Sequence, residues 1–203
     1  MANIITPREA AELVKDASTM ALGGFGSYCG PDALLEALSQ RFQETGRPAG
    51  LTVVTGISTG DNSQADLGMN RIAREGLIDT IIAGHLANPP RISAMAAADK
   101  LAAYTLPLGV VAQLFRAIAG KKPGVITSVG LGTFADPRSE GCKANTKART
   151  QGREVVQLIE LNGSEYLFYP VFPLDICFLR GTYADEDGNI SVEHEGLTGT
   201  ELE

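Results

Sequence analysis

A chain of 203 residues with 44% hydrophobic and 20% charged residues and 23 glycines has the apolar material for one α/β domain with a buried core, and is short for two. A net charge of −7 argues against nucleic acid as a partner, because phosphate binding draws on a basic face. No apolar run approaches the roughly 18–20 residues of a membrane span and the first residues lack a secretory layout, so the expected setting is the cytoplasm, away from membranes.

In chain order, Thr6-Pro7-Arg8-Glu9 carries a capping threonine, a proline at the first helical position and a glutamate at N3, which predicts a helix over Pro7–Asp16 with Ala10, Leu13 and Val14 as its apolar stripe. A short strand over Thr19–Leu22 leads into a glycine-rich loop from Gly23 to Pro31. Leu34, Leu35, Leu38 and Phe42 then recur at helical spacing from about Asp32. The alternation continues through strand Leu51–Thr55, a helix near Leu67–Arg74, strand Thr80–Ala83, helix Ile92–Asp99, strand Ala102–Leu106, helix Val110–Ala119 and strand Val125–Val129. Strands separated by helices of this length imply crossover connections and a mostly parallel open sheet with helices on both faces.

After Arg138 a polar stretch without periodicity runs to about Arg153. Val155–Leu161 and Glu165–Tyr169 then flank an Asn162-Gly163 turn, which predicts an antiparallel hairpin extension. Asp175–Arg180 and Asn189–Val192, joined across Asp187-Gly188, predict a second antiparallel pair.

Several segments bear on chemistry. The loop from Gly23 through Gly24, Phe25 and Gly26 lies between a strand and a helix, where open α/β sheets place their ligand crevice. Its free N–H groups suit an oxyanion, although a plain tight turn also uses glycine. Gly56-Ile57-Ser58-Thr59-Gly60 fits G-x-S-x-G, and a hydrolase triad would draw on Ser58, Asp175 and His194. His85, at a strand's carboxyl end, reads either as a ligand contact or as a hydrogen-bonded structural histidine. Gly130-x-Gly132-x-x-Ala135 matches a dinucleotide fingerprint, but Asp136-Pro137 follows at once and blocks the helix that motif needs. The densest basic stretch, Arg138, Lys143, Lys147, Arg149 and Arg153, reads as a solvated surface with phosphate binding as its rival. Three scattered cysteines, Cys29, Cys142 and Cys177, with no C-x-x-C and no carboxylate cluster, predict neither disulfides nor a metal site.

Taken together, Asp16 through Pro31, Ala83-Gly84-His85, Lys122 through Arg138, and Glu165 through Pro170 with Arg180-Gly181-Thr182-Tyr183-Ala184-Asp185 form an ordered set. That set resembles the first half of family I coenzyme A transferases of the acetate, propionate and 3-oxoacid type. The resemblance implies a ping-pong transfer of coenzyme A between short-chain acyl-CoA and small carboxylic acids through a glutamyl-CoA thioester. Coenzyme A is then a substrate, with no permanently bound cofactor. It also implies that residues 1–203 are one amino-terminal domain, incomplete at its end. The catalytic glutamate comes from a complementary second half, and the assembly is an oligomer. Glu44-Thr45-Gly46 has the letters of the glutamate motif in the wrong part of the chain, and Glu195 and Glu201 are not assigned the role.

By the same resemblance, Gly23, Gly24, Phe25, Gly26, Leu108, Gly109 and Gln113 are candidates for the oxyanion, thioester and coenzyme A contacts. Gly60, His85, Gly132 and Thr133 are candidates for substrate-site loops. Leu108 stands where relatives commonly have a glutamine, and leucine donates no hydrogen bond; Gly109 N–H and Gln113 are the remaining donors. A non-catalytic acyl-CoA-binding module of the same fold is the alternative expectation.

Overall fold

The computed structural model describes residues 2–197. Helix α1 (Pro7–Glu12) is followed by β1 (Thr19–Leu22), α2 (Asp32–Thr45), β2 (Leu51–Thr55), a short 3-10 helix (Gly68–Ile72) and β3 (Ile78–Ala83). Next come α3 (Pro90–Ala97), β4 (Ala102–Thr105), α4 (Leu108–Ala119), β5 (Gly124–Thr127) and α5 (Thr146–Gln151). The chain continues through β6 (Gln157–Leu161), β7 (Ser164–Pro170), β8 (Ile176–Phe178), β9 (Tyr183–Ala184) and β10 (Ile190–Ser191).

Five of these strands form one all-parallel sheet in the order β4-β3-β2-β1-β8. Sheets of this kind are covered on both faces, which is why their strands read as apolar runs rather than as alternation. Met20, Leu22, Val53, Ile81 and Ala103 point into one core with Ala11, Leu35, Leu38, Ile72 and Ile92 from the helices on that side. Val54, Ile82, Ala102 and Tyr104 point the other way. They meet Val111 and Leu114 of α4, Ala148 of α5, and Val125, Leu167 and Tyr169 of a separate three-stranded antiparallel sheet ordered β5-β7-β6. Because the five strands run the same way, Leu22, Thr55, Ala83, Thr105 and Phe178 all end on one edge, and every following loop leaves from there.

The expected α/β class and the hairpin around Asn162-Gly163 are present, and several local expectations change. The first helix stops at Glu12, with Leu13 as its C-cap; Ala11 and Val14 are buried while Leu13 is 62% exposed. The segment expected to be a helix near Leu67–Arg74 is a 3-10 turn starting at Gly68, whose φ of +56° no α-helix accepts. The strand expected over Val125–Val129 belongs to the antiparallel sheet, with Val125 opposite Tyr169. The segment Asp175–Arg180 does not pair with Asn189–Val192. Its core, β8, adds to β1 in parallel, and β10 pairs instead with β9.

The aperiodic stretch after Arg138 contains α5, capped by Asn145. That side chain closes the β4 edge of the sheet. Asn145 Oδ1 accepts from Ala148 N–H at 3.0 Å and Ala103 N–H at 3.1 Å, while Nδ2 donates to the carbonyls of Ala96 (2.8 Å) and Leu101 (2.7 Å). Alongside it, Thr105 N–H donates to Cys142 O and Ala144 N–H donates to Ala103 O. The chain thus straps an edge that would otherwise expose unpaired backbone groups. Asn145→Ala removes a helix cap and leaves four backbone groups to find water. It is expected to destabilise the fold by about 2–4 kcal/mol in equilibrium urea unfolding. A loss below about 0.5 kcal/mol, the range of ordinary surface substitutions, would show that the strap does not depend on this residue.

Candidate functional site

The carboxyl edge of the parallel sheet is closed by backbone-to-backbone contacts between successive loops. Gly23 N–H donates to Phe178 O at 3.0 Å, tying the first glycine loop to β8. Phe25 and Tyr28 exchange N–H···O bonds at 2.9 and 3.0 Å, a tight turn with Gly26 in the left-handed region at φ +59°. Gly60 N–H then donates to Gly26 O at 2.9 Å, and Gly84 N–H to Gly56 O at 2.9 Å. Glycine is required at the closest of these approaches. A Cβ on Gly24 would lie 2.5 Å from Thr59 Cγ2, and one on Gly84 would lie 2.5 Å from Gly56 O.

Expected site residues divide into three groups. Gly23, Gly24, Phe25, Gly26, Gly60, His85, Leu108 and Gly109 all lie along this edge. Phe25 and Leu108 are exposed there, at 41% and 39%. Leu108 is the first residue of α4 and its Cδ1 would lie 3.3 Å from a Cβ on Gly84, so an apolar side chain covers the carboxyl end of β3. Beside it, a Cβ on Gly109 would meet nothing within 4 Å; Val110 N–H donates to Pro107 O at 2.9 Å, and Gly109 N–H lies one residue before that first bonded amide. His85 Nδ1 accepts from Ala87 N–H at 3.2 Å, which assigns the neutral-ring proton to Nε2.

Gln113 is not on this edge. It lines a separate hollow with Arg116, Lys122 and Gly124 to Ile126, between α4 and β5. Gly132 and Thr133 sit in a loop folded on the antiparallel sheet. Thr133 Oγ1 donates to Gly130 O at 2.8 Å, and Tyr169 hydroxyl donates to Val129 O at 3.0 Å.

The G-x-S-x-G segment is not a nucleophile elbow. Ser58 is fully buried and its hydroxyl donates to His85 O at 2.9 Å. Asp175 accepts from Thr19 N–H at 2.8 Å, at the amino end of β1 and so on the opposite edge of the sheet, and His194 stacks edge-on against Tyr183. No triad forms from these three.

The basic stretch is neutralised within the chain. Arg138 pairs with Asp136 and Glu165, Lys143 with Glu154, Lys147 with Asp79, and Arg149 approaches Glu140, while Arg153 lies 5.7 Å over the Phe172 ring. Cys142 is buried and its thiol is pushed up to about 12 by desolvation, so it is no nucleophile. Among the described residues no three His, Cys, Asp or Glu side chains cluster as a metal set, and no helix is long and apolar enough to cross a membrane. Glu44 lies in the last turn of α2, away from the glycine loop, and pairs with Arg8. Glu195 binds Arg180, and Glu201 lies outside the described residues.

Three further residues of the edge are not among the expected site residues. Thr59 is 1% exposed between the first two loops. Asn88 Nδ2 donates to Ser58 O at 2.9 Å and its own carbonyl accepts Asn62 N–H, holding the second loop to the third. Arg180 follows β8 and reaches the hollow bounded by Gly26, Gly30, Gly60 and Gly68. Thr59 lies inside the G-x-S-x-G pattern and Arg180 opens the Arg180–Asp185 segment of the resemblance, but neither pattern points to that residue itself, and Asn88 has no sequence signal.

The Gly132–Thr133 loop depends on one carboxylate. Asp136 accepts from the Arg138 guanidinium at 2.8 and 3.0 Å, from Gly132 N–H at 2.9 Å and from Arg138 N–H at 3.0 Å, and these hold its pKa well below the usual carboxylate value of 3.8. A lowered native pKa means that the stabilisation is complete above the unfolded value and is lost as pH falls below it toward the native one. Stability in urea unfolding is therefore expected to hold steady down to about pH 4 and to fall below it, and Asp136→Asn should lessen that acid transition. A transition above pH 5 would assign it to another group.

A coenzyme A transferase family model matches residues 4–202. The chain is 46% identical over 196 residues to a caffeate CoA-transferase of Acetobacterium woodii, covering 97% of this chain and 36% of that one. It is 24% identical over 175 residues to the alpha subunit of an acetoacetyl-CoA:acetate/butyrate CoA transferase of Clostridium acetobutylicum, covering 86% of this chain and 68% of the subunit. Among solved structures, an Escherichia coli O157:H7 acyl-CoA transferase, crystallised as a thioester complex with CoA, superposes with a TM-score of 0.89 at 33% identity, over 96% of this chain and 37% of the other. The chain thus spans a little over a third of the longer proteins it matches.

Proposed function

The chain belongs to the coenzyme A transferase family, and from that premise we propose that it is the amino-terminal part of an enzyme moving coenzyme A from a short-chain acyl-CoA to a free carboxylate. The observation that carries this reading is the seam of glycine loops on the carboxyl edge of the parallel sheet, where Gly26, Gly60 and Gly84 let the backbones of successive loops meet beside the first turn of α4. A relative named as an alpha subunit supports a two-part enzyme, with the second part as a separate subunit or as the rest of a longer chain.

In this reading the nucleophile is a glutamate of the complementary half. Its carboxylate adds to the thioester carbonyl and expels the CoA thiolate, leaving an acyl-glutamyl anhydride. The thiolate then attacks the glutamyl carbonyl and releases the acyl group as a free acid, leaving a glutamyl-CoA thioester. An incoming carboxylate reverses the two steps. Each addition places negative charge on a carbonyl oxygen, which oriented N–H donors stabilise. On this chain the donors are backbone amides, Gly109 N–H first among them, since Leu108 has no donor to offer. Leu108 and Phe25 supply apolar surface at the same edge and suit the carbon part of an acyl group. Gln113, the other candidate donor, lines the hollow between α4 and β5.

A second reading, a non-catalytic acyl-CoA-binding module, is favoured by one observation, the leucine at position 108. Mixing this chain with its complementary half and following acetate-dependent release of propionate from propionyl-CoA separates the two. The mixture is expected to exchange CoA while neither half alone does so, because positioning does not replace an absent nucleophile. Binding of acyl-CoA by the mixture without any exchange would favour the module.

A further inference from the structure

We propose that the open edge of β6 pairs with β6 of a second copy of this chain, antiparallel and about a two-fold axis at Ile159, so that the two β5-β7-β6 sheets become one continuous sheet. This pairing is independent of the transferase reading.

Among the described residues β6 is the longest strand with a neighbour on one side only. The turn at its end fixes which way its backbone groups face. Asn162 and Gly163 both stand at positive φ, +52° and +74°, and Leu161 lies opposite Ser164, Ile159 opposite Tyr166 and Gln157 opposite Phe168. In a hairpin with a two-residue loop the flanking pair exchanges both backbone bonds and the pattern then alternates. Leu161, Ile159 and Gln157 therefore direct their N–H and C=O groups to β7, and those of Leu158 and Glu160 point off the sheet. Neither Leu158 nor Glu160 has a backbone hydrogen bond outside the hairpin. Edges that stay single are marked against pairing by lysine, proline, a bulge or a cover. The β4 edge has its strap, whereas Gln157-Leu158-Ile159-Glu160-Leu161 has a regular register, neither lysine nor proline, and one charge.

Register and charge select a second copy as the occupant. A strand added antiparallel to this edge must set its own outward-facing groups opposite Leu158 and Glu160, and β6 does so with itself. Leu158 then lies opposite the second copy's Glu160, Glu160 opposite its Leu158, and Gln157 opposite its Leu161, with Ile159 on the axis, so the whole strand is paired. A slip toward the turn sets Glu160 against Glu160, a like-charge pair, and a slip the other way leaves Glu160 and Leu161 beyond the overlap. The side chains agree. Val125, Leu167 and Tyr169 fill the core face of this sheet, so alternation puts Ile126, Phe168, Tyr166, Ile159 and Leu161 on the other face, where a solvated antiparallel sheet is ordinarily polar. Leu161 is 44% and Ile126 50% exposed. Pairing at the axis packs Ile159 of one copy against Ile159 of the other and brings Leu161 in beside them, an isologous contact in which one patch serves both copies.

The test uses the 203-residue chain in sedimentation velocity, where a monomer–dimer equilibrium is expected between about 1 and about 100 µM. Glu160→Pro removes a donor that points off the sheet and no bond of the hairpin, so it should stay folded in urea unfolding and dimerise about tenfold more weakly or worse. Should it fail to fold, Ile159→Lys, which sets two like charges at the axis, decides in its place. With the exposed Cys177 replaced by serine, Ile159→Cys should cross-link to itself under mild oxidant, because directly opposed residues on the axis lie within disulfide reach, and Leu161→Cys should not. A chain that is monomeric throughout, a dimer untouched by Glu160→Pro and Ile159→Lys, or cross-linking of Leu161→Cys as readily as of Ile159→Cys would overturn the pairing. So would protection of the Leu158 and Glu160 amides from hydrogen exchange only on mixing with the complementary half, which would give this edge to that half.

Discussion

Everything on the carboxyl edge depends on how closely the backbones of the loops after β1 and β2 approach each other. Gly60 N–H reaches Gly26 O at 2.9 Å only because Thr59 can slot its methyl against Gly24 and its hydroxyl toward Gly68. Side chains at either glycine would push on Thr59, and both sit at positive φ, +108° for Gly24 and +56° for Gly68. From this seam the rest follows in order. Gly68 N–H is fixed on Asp32, Asp32 clamps Arg71, and that pair pins the 3-10 helix to the first turn of α2. Asn70, 2% exposed, then ties the same turn to Ser63 O, Ala65 O and the N–H of Arg91 at the start of α3. A run of short polar contacts therefore carries the loop geometry outward from one glycine seam.

Charge is arranged to leave the site polar without making the surface basic. The chain carries a net charge of −7, and the basic residues between Arg138 and Arg149 pair with acids of the same chain. Most of those pairs are exposed and contribute little to stability individually. Their consequence is functional, since a basic strip that neutralises itself offers no phosphate platform. Arg180 is likewise paired, its Nε 3.1 Å from an oxygen of Glu195, beside a cleft.

Much of the molecule was legible in advance because its signals are local. The T-P-R-E capping box, the apolar runs at Thr19–Leu22 and Leu51–Thr55, and the Asn162-Gly163 hairpin depend on neighbours a few residues away, and all three appear where their chemistry puts them. Alternation of strands and helices sufficed for a parallel sheet, and the ordered set of loop segments sufficed for the family. The 3-10 turn at Gly68 was misread because its period imitates a helix, while its backbone answers to Thr59 and Asp32 elsewhere in the chain. Leu13 was assigned to the core because helical spacing alone does not say where a helix will stop.

What the sequence determined by itself, then, is the class of fold, its strand and helix alternation and the glycine loop that opens the site, since propensity and spacing are written residue by residue. Tertiary structure alone decided that β8 joins β1 in parallel, that Gln113 lines a hollow against β5, and that Ser58 is a buried structural hydroxyl while its neighbour Thr59 lacks a partner. Each of those facts turns on contacts between segments tens of residues or more apart. Which groups meet there is fixed by packing and by the direction of the strands, and neither is visible in a five-residue pattern.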